Sequence, residues 1–441
     1  MKASALKYAV LTTMVWLISL IIALLPFHAF LSVWLASQLG HYTLLRLWKE
    51  YLLLICSLGA IYLLITDSKI RAQTLPRRLV WLIIAYSLVQ MIWGAVALKY
   101  HSVNLKALGY GLIVNLRFGA FFLISWTVAA RTARLKDHWP KLVLWPALIV
   151  VLFGLLQIFV LPLNFLSHFG YSAQTIPAYE TINHNNLYVR IASTLRGANP
   201  LGAYLLIPLT TLAVLIIRGQ RNLSKLLFLA GSLGVLFFSY SRSAWLGALA
   251  SALVILLTHK WSPRTKRLLI STATALVVLV LLGSFMLRHS LVFQNIVSHT
   301  QQDSAVATTS DQGHSSALKA GLRDIIDQPL GRGPGTAGPA SIFNNHPPRI
   351  AENYFLQIGQ ETGWLGLGLF LLINAGVGYI LWLRRQDTLA VILLASLVGI
   401  SLVNLLSHAW SDDTLAYVWW GLAGIAIGTS LDQVASNKRE A

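Results

Sequence analysis

The stretch NNHPPRIAENYFLQIGQETGWLGLGLFL, residues 344–371, passes from a polar segment into a long apolar run. From Trp364 the apolar part continues to residue 383 without a charged side chain, which is enough helix to cross a bilayer. The polar part carries His346, Arg349 and Glu352 within seven residues. Ionisable groups at a membrane boundary are costly unless they have a partner or a function. This stretch therefore predicts both a transmembrane helix and a functional site at its start.

Similar apolar runs recur along the whole chain. Of the 441 residues, 56% are hydrophobic and 11% are charged, whereas a soluble domain carries about 25% charged residues. Barrel strands would be about ten residues long and would alternate. We therefore predict an all-α, polytopic membrane protein, one domain over 1–441, with about twelve transmembrane helices. The predicted spans are 8–27, 48–66, 79–98, 107–130, 142–162, 199–217, 226–239, 243–258, 268–287, 353–383, 388–407 and 414–430.

The net charge of +19 is concentrated in one set of short connections and tails, which hold 21 of the 34 Lys and Arg residues. Basic residues are retained on the cytoplasmic side of a membrane. We therefore predict that these loops and both termini are cytoplasmic. Charge distributed in this way orients the protein in the bilayer, so we expect membrane lipids and not nucleic acid as partners.

Two long segments, 163–198 and 288–352, connect predicted spans on the outer side. Ten of the 15 acidic residues also fall on this side, whereas the basic loops are short. We expect the chemistry at the outer face, with the loop 288–352, ahead of the tenth helix, carrying part of the active site. The single cysteine, Cys56, excludes an internal disulfide and a cysteine-based metal cluster.

Arginines on the outer side adjoin apolar runs. Arg196 precedes the span that starts near Asn199, and Arg242 separates two spans. A lone arginine at a membrane interface is costly unless it meets an anion, and a guanidinium group suits phosphate oxygens. Arg196 also fits an interfacial arginine that reaches lipid headgroups, with Asn199 as a helix cap. The candidates for binding a lipid-linked diphosphate are Arg196, Arg242, Arg323 and Arg349.

The stretch 316–341 divides into a helix and a glycine-rich loop. SALKAGLRDIIDQP has helical spacing and ends at Pro329. Lys319 fits a solvated helix face. The loop GRGPGTAGPAS, 331–341, could present backbone N–H groups to phosphate, but it lacks the pattern of a nucleotide-binding P-loop.

Two side chains ahead of the last long span could take a proton from an attacking hydroxyl, Glu352 and His346. A diphosphate leaving group needs its charge stabilised as its bond breaks, and arginines supply that stabilisation. Residues that could contact an acceptor or a sugar are Asn199, Asn353 and Tyr354. This combination predicts glycosyl transfer from a lipid diphosphate.

Four stretches, taken in order, resemble the O-antigen ligase and O-antigen polymerase superfamily of bacterial envelope glycosyltransferases. They are RGANPLGAYL (196–205), SYSRSAWLGAL (239–249), ALKAGLRDIIDQPLGRGPGTAG (317–338) and AENYFLQIGQETGWLGLGLFL (351–371). Each is weak alone, but their order is characteristic of the superfamily, and the flanking spans fit its plan of roughly twelve helices.

The resemblance implies a donor glycan on undecaprenyl diphosphate at the outer face of the bacterial inner membrane. The acceptor would be a hydroxyl of another glycan, of a lipid or of a protein. The donor is already activated, so no cofactor, nucleotide or metal is implied. Arg196 and the pair Ser241-Arg242 match superfamily positions that would hold the diphosphate.

The chain departs from the ligases at Glu352-Asn353, where they usually carry His-Asn. Polymerase-like members often have Glu-Asn there, so the resemblance leaves ligase and polymerase both open. A transporter of lipid-linked sugar is an alternative of another class. It would need ionisable groups inside several spans, of which Arg117 is the clear example. The trio His408, Asp412 and Asp413 has no established metal-ligand spacing.

Overall fold

In the computed structural model, residues 2–75, 77–182, 185–265, 267–268, 271–272, 282–283, 285–287, 290 and 310–429 are described, and they are mostly helical. The helices are α1 (Lys2–Leu24), α2 (His28–Leu39), α3 (Tyr42–Leu45), α4 (Trp48–Thr66), α5 (Ser68–Thr74), α6 (Arg78–Lys99), α7 (Leu105–Ala129), α8 (Arg134–Phe159), α9 (Ala198–Ile217), α10 (Leu223–Phe238), α11 (Arg242–Thr258), α12 (Ser310–Asp327), α13 (Tyr354–Leu383), α14 (Thr388–Asn404) and α15 (Asp413–Gly428). Short 3-10 turns lie at Leu25–Phe27, Phe165–Phe169, Gly338–Phe343 and Ala409–Ser411. Strands β1 (Glu180–Ile182) and β2 (Asn185–Arg190) pair antiparallel.

Seven described segments are long and apolar enough to cross a membrane. They are Ser4–Leu39, Tyr42–Thr66, Arg78–Lys99, Leu105–Ala129, Arg134–Phe159, Ala198–Ile217 and Tyr354–Leu383. Helices α10, α11 and α14 are shorter but also apolar. The prediction of an all-α, polytopic membrane protein is therefore confirmed. Most of the predicted span 268–287, and the part of the loop 288–352 that precedes α12, lie outside the described residues.

Basic connections meet at one end of the helix bundle. Lys136 Nζ lies 2.5 Å from Asp387 Oδ2, which joins the start of α8 to the start of α14. Arg218, at the end of α9, donates to Thr388 Oγ1 over 2.9 Å. Consecutive spanning helices run in opposite directions. The other end of the bundle therefore holds the segment between α8 and α9, the start of α11 and the start of α13.

The centre of the bundle is packed through glycine. A Cβ on Gly424 of α15 would lie 2.4 Å from the carbonyl oxygen of Phe122 on α7. A Cβ on Gly247 of α11 would lie 2.8 Å from the carbonyl oxygen of Gly399 on α14. Lipid provides little hydrophobic drive between helices, so close packing of this kind, which small residues permit, contributes much of the stability of a membrane bundle.

A charged cluster is buried among α1–α2, α4, α7 and α15. Arg117, whose side chain is 3% exposed, pairs with Asp413 and donates to the backbone carbonyl of Ser411 over 2.5 Å. Lys49 Nζ and His28 Nε2 lie 3.0 Å and 3.2 Å from Asp413 Oδ2. The intramembrane arginine is thus neutralised within the protein, and this arrangement explains its presence in a span without a bound lipid phosphate.

We expect Asp413→Asn to lower the free energy of unfolding by about 3–5 kcal/mol, because it leaves Arg117 buried without its counter-ion. The measurement is an unfolding titration in mixed micelles. Asp137→Asn is the control, since Asp137 is exposed in the first turn of α8 and its loss should cost less than about 1 kcal/mol. Equal stability of the two variants would contradict a stabilising role for the cluster.

Candidate functional site

A cavity of about 660 Å³ lies at the end of the bundle opposite the basic connections. We call it the arginine cavity. It is bounded by β2, the start of α9, the turn between α10 and α11, α12, and the residue before the cap of α13. The described lining residues are Arg190, Asn199, Tyr240, Arg242, Ser243, Leu246, His314, Ser315, Leu318, Lys319, Glu352 and Leu406. Several predicted site residues therefore meet, although they are far apart in sequence.

The segment from β2 to α9 places Arg190 in this cavity. Its Nε donates to the carbonyl of Ser239 over 3.1 Å, and its Nη2 donates to Asn199 Oδ1 over 2.6 Å. Burial lowers the pKa of Arg190, and the positive charge of Arg242 lowers it further, while Glu180 acts in the opposite direction. The two guanidinium groups are thus close enough for their charges to interact, as two ligands of one phosphorylated group would be.

Positive charge predominates in the arginine cavity. Among the lining residues that the structure describes, Arg190, Arg242 and Lys319 are basic and Glu352 is the one acidic residue. Sequence reasoning missed Arg190, because the rule that identifies costly arginines applies at the edge of an apolar span, and β2 is not one. Lys319 was interpreted as part of a solvated helix face, and the structure places it on the exposed side of α12 that faces the cavity.

Glu352 lies in the arginine cavity with His314 as its partner. His314 Nδ1 contacts Glu352 Oε2, and both side chains are partly exposed to the cavity. The hydrogen bond from His314 lowers the pKa of Glu352, although burial acts in the opposite direction. Glu352 is therefore an ionised carboxylate at neutral pH. Sequence reasoning missed His314, because its contact with Glu352 joins α12 to the segment before α13 and no local pattern encodes that contact.

The backbone at Glu352 is unusual. Its φ is 51°, in the left-handed region that non-glycine residues seldom adopt. Tyr240, which also lines the arginine cavity, has a φ of 47°. Such conformations cost on the order of 1–3 kcal/mol each and persist where surrounding contacts hold them, often at functional sites.

Arg196 lies close enough to His408 for its charge to act on that ring. Burial lowers the pKa of His408 to about 4; the negative charge of Glu352 raises it and the positive charge of Arg196 lowers it. His408 is thus a neutral imidazole that both Arg196 and Glu352 approach. Arg196 itself is exposed. It is absent from the described lining of the arginine cavity.

The predicted residues Asn353 and Tyr354 form the start of α13. Asn353 is the helix cap: its side chain accepts from the Leu356 N–H over 3.0 Å and donates to the Leu405 carbonyl over 3.0 Å. Tyr354 is fully buried and packs against Phe370. A sugar cannot reach the Tyr354 ring in this structure, so both residues act here in positioning the helix.

The remaining candidates lie elsewhere. His346 and Arg349 line a second cavity, described below, and not the one that contains Glu352. Arg349 donates from Nε to Asp324 Oδ2 over 3.0 Å, so it is already paired within the protein. Arg323 is exposed on α12 and is absent from the described lining of both cavities. The polar segment before α13 therefore serves two cavities, with Glu352 on one side and His346 and Arg349 on the other.

The glycine-rich loop is bound by protein. Gly333 N donates to the Glu361 carbonyl over 2.7 Å, and Gly335 N donates to Glu361 Oε1 over 2.8 Å. Asn115 donates to the other carboxylate oxygen of Glu361 over 2.6 Å. The loop enters a break in α13 at Gly363, where φ is 62°. These N–H groups are thus occupied, so the loop shapes the bundle and does not cradle phosphate.

The described residues contain no group of three His, Cys, Asp or Glu side chains placed to hold a metal ion. Two members of the trio noted in the sequence have other partners. Asp412 caps α15 by accepting from Leu415 N over 3.2 Å, and Asp413 belongs to the buried cluster with Arg117.

The fold and this cavity define a polytopic membrane protein with a cationic site suited to phosphate. A family model described as O-antigen ligase matches residues 226–371, about a third of the chain. The match confirms the resemblance to the O-antigen ligase superfamily, and it contains Arg242, His314, Lys319 and Glu352. The matched third and the apolar helices together support a membrane protein similar to the O-antigen ligases of polysaccharide biosynthesis. Comparison with curated proteins gives no match.

Proposed function

We propose that the protein transfers a glycan from undecaprenyl diphosphate to an acceptor hydroxyl at the outer face of the bacterial inner membrane. The observation that carries this proposal is the arrangement of Arg190, Arg242 and Lys319 around the Glu352–His314 pair in one cavity. Cations and a base are the two requirements of transfer from a diphosphate. The superfamily match supports the same class of donor.

Arg190, Arg242 and Lys319 would hold the donor diphosphate. A guanidinium group can donate two parallel hydrogen bonds to phosphate oxygens. In this partly buried site its charge would be less screened than in water. As the bond between the sugar C1 and the phosphate oxygen breaks, negative charge accumulates on the diphosphate. The fixed cations stabilise that charge without further reorganisation. Arg196, beside His408, is a further contact for the same group.

Glu352 would act as the general base. It takes the proton of the acceptor hydroxyl while the hydroxyl oxygen bonds to C1 and undecaprenyl diphosphate leaves. Carboxylates serve as bases in inverting glycoside hydrolysis, where the transition state also has oxocarbenium character. His314 holds the carboxylate in place and keeps it ionised. Asn199, which binds Arg190, would position that arginine and contact the sugar from the same side.

The orientation in the membrane and the extent of the domain belong to this proposal. The basic connections, which meet at one end, would be cytoplasmic together with both termini. The arginine cavity, at the opposite end, would then face the outside, as a lipid-linked donor requires. About twelve spans, forming one domain over 1–441, agree with this orientation.

A direct assay tests the proposal. Purified protein in nanodiscs receives a labelled oligosaccharide on undecaprenyl diphosphate, without metal or nucleotide, and release of the lipid diphosphate is followed with glycan length. Growth of the carrier-linked glycan would establish a polymerase, and transfer only to an added acceptor would establish a ligase. Movement of intact donor between leaflets, with no donor consumed, would contradict the proposal and establish a transporter.

A further inference from the structure

A second cavity, of about 720 Å³, lies beside the carboxyl-terminal half of α6. We call it the α6 groove. It is distinct from the arginine cavity, and no described residue lines both. Its described lining includes Ile92, Val96, Tyr100, Arg332, His346 and Arg349.

One wall of the α6 groove is apolar and lies on a membrane span. Ile92 and Val96 lie four residues apart on α6, Tyr100 directly follows the helix, and all three side chains are exposed. Trp93 donates from its ring N–H to the carbonyl of Leu330, which holds the opposite wall against the helix. An exposed apolar face at this depth meets acyl chains, since a membrane surrounds the span.

The other end of the α6 groove is cationic. Arg332 and Arg349 share one carboxylate, Asp324: Arg349 Nη2 lies 2.5 Å and Arg332 Nη2 4.0 Å from its oxygens. Gln360 Nε2 also donates to Asp324, over 2.6 Å. Two guanidinium charges thus face one negative charge. Of the described residues that line the groove, none is acidic.

The charge balance leaves Arg332 as the available cation. Its side chain is 40% exposed and its Nε donates to Gln328, whereas the side chain of Arg349 is 16% exposed and pairs more closely with Asp324. Burial lowers the pKa of Arg332, and the nearby charge of Arg349 lowers it further, whereas Asp324 raises it. An incoming anion would relieve the repulsion between the two guanidinium groups. His346 is exposed at the same end, where its Nε2 lies 3.3 Å from the carbonyl oxygen of His101.

We propose that the α6 groove binds an anionic glycerophospholipid of the surrounding leaflet. The phosphate group would meet Arg332 and His346, and an acyl chain would lie along Ile92 and Val96. The groove combines the two chemistries that such a lipid presents, an anion at the interface and a hydrocarbon chain below it. His346 and Arg349 precede Glu352 in one short segment. The bound lipid would therefore contact the segment that also carries the proposed base, Glu352.

The test uses the whole protein in phosphatidylcholine nanodiscs with a minor fraction of photoactivatable phosphatidylglycerol. After irradiation, we expect labelled peptides from residues 92–100 and 328–349. Arg332→Ala should reduce this labelling about tenfold, as expected for the loss of one charge-assisted hydrogen bond. Val96→Trp, on the exposed face of α6, should reduce it by filling the groove, and it does so without changing charge.

Arg78→Ala is the matched control, because it removes an equal charge from the opposite end of α6. It should leave labelling of residues 92–100 unchanged. Equal labelling by a photoactivatable phosphatidylcholine would overturn the proposal, since the charge would then be irrelevant. Unchanged labelling in both Arg332→Ala and Val96→Trp would also overturn it. Displacement of the label by undecaprenyl diphosphate would assign the groove to the donor instead.

Discussion

Replacement of Glu352 by Gln should reduce the rate of glycan transfer by more than about 100-fold, the usual contribution of a general base. The amide keeps the shape of the side chain and the backbone conformation, but it cannot take a proton from the acceptor hydroxyl. Initial rates with saturating donor and acceptor measure the effect. The affinity for donor should change little, because the cations of the arginine cavity remain in place.

The contact between His314 and Glu352 predicts how the rate of transfer depends on pH. The hydrogen bond from His314 lowers the pKa of Glu352, and burial raises it. His314→Ala removes the hydrogen bond that lowers the pKa of Glu352 but leaves the burial that raises it, so this pKa should increase. Since Glu352 must be ionised to act as a base, the acid limb of the pH–rate profile should move to higher pH in this variant.

His346→Ala is the contrasting variant. His346 lines the α6 groove and not the arginine cavity, so its loss should affect transfer much less than Glu352→Gln does. A severe loss in His346→Ala together with a mild one in Glu352→Gln would transfer the role of base to the histidine. Complete loss in His314→Ala, with no shift of the pH profile to measure, would assign the base to His314.

Replacement of Arg242 by Ala should reduce transfer by at least about 100-fold, the size of effect seen when a group that stabilises the developing charge is lost. Arg242 lines the arginine cavity and acts electrostatically on Arg190, so one bound diphosphate can contact both guanidinium groups. Arg242→Lys should restore part of the activity, because it keeps the charge but loses the planar pair of donors. Measurement of donor release and of donor binding separates the two roles.

Arg78→Ala serves again as the control, since it removes a positive charge at the far end of the bundle. It should retain full activity with the same insertion and yield. Arg190→Ala independently tests whether Arg190 and Arg242 together form a clamp on the donor diphosphate. If the two arginines hold one diphosphate, the double variant should lose less than the product of the two single losses. Full activity in Arg242→Ala would remove the diphosphate clamp from the mechanism.

Composition and hydrophobic patterning alone are sufficient to establish the class of this protein. Apolar runs near 20 residues long can form only helices in a bilayer, because each helix satisfies its own backbone hydrogen bonds. The confirmed class and superfamily therefore follow from local features: the spans, and short motifs around Arg242 and Glu352. Arg196 and Arg242 could be chosen as candidates because they adjoin the ends of predicted spans. The free-energy cost of a charge in lipid depends on its depth, which the sequence is sufficient to estimate.

Contacts between distant parts of the chain decided the rest. Arg190 and His314 belong to the arginine cavity only because β2 and α12 are brought to the start of α11, and no periodicity encodes that meeting. His346 and Glu352 are six residues apart, yet the left-handed turn at Glu352 and the cap at Asn353 place them in different cavities. Likewise, the N–H of Gly335 in the glycine-rich loop donates to Glu361, where the loop enters the break in α13. Side-chain direction and partner choice at these positions are set by packing between helices, which depends on the whole bundle and not on neighbouring residues.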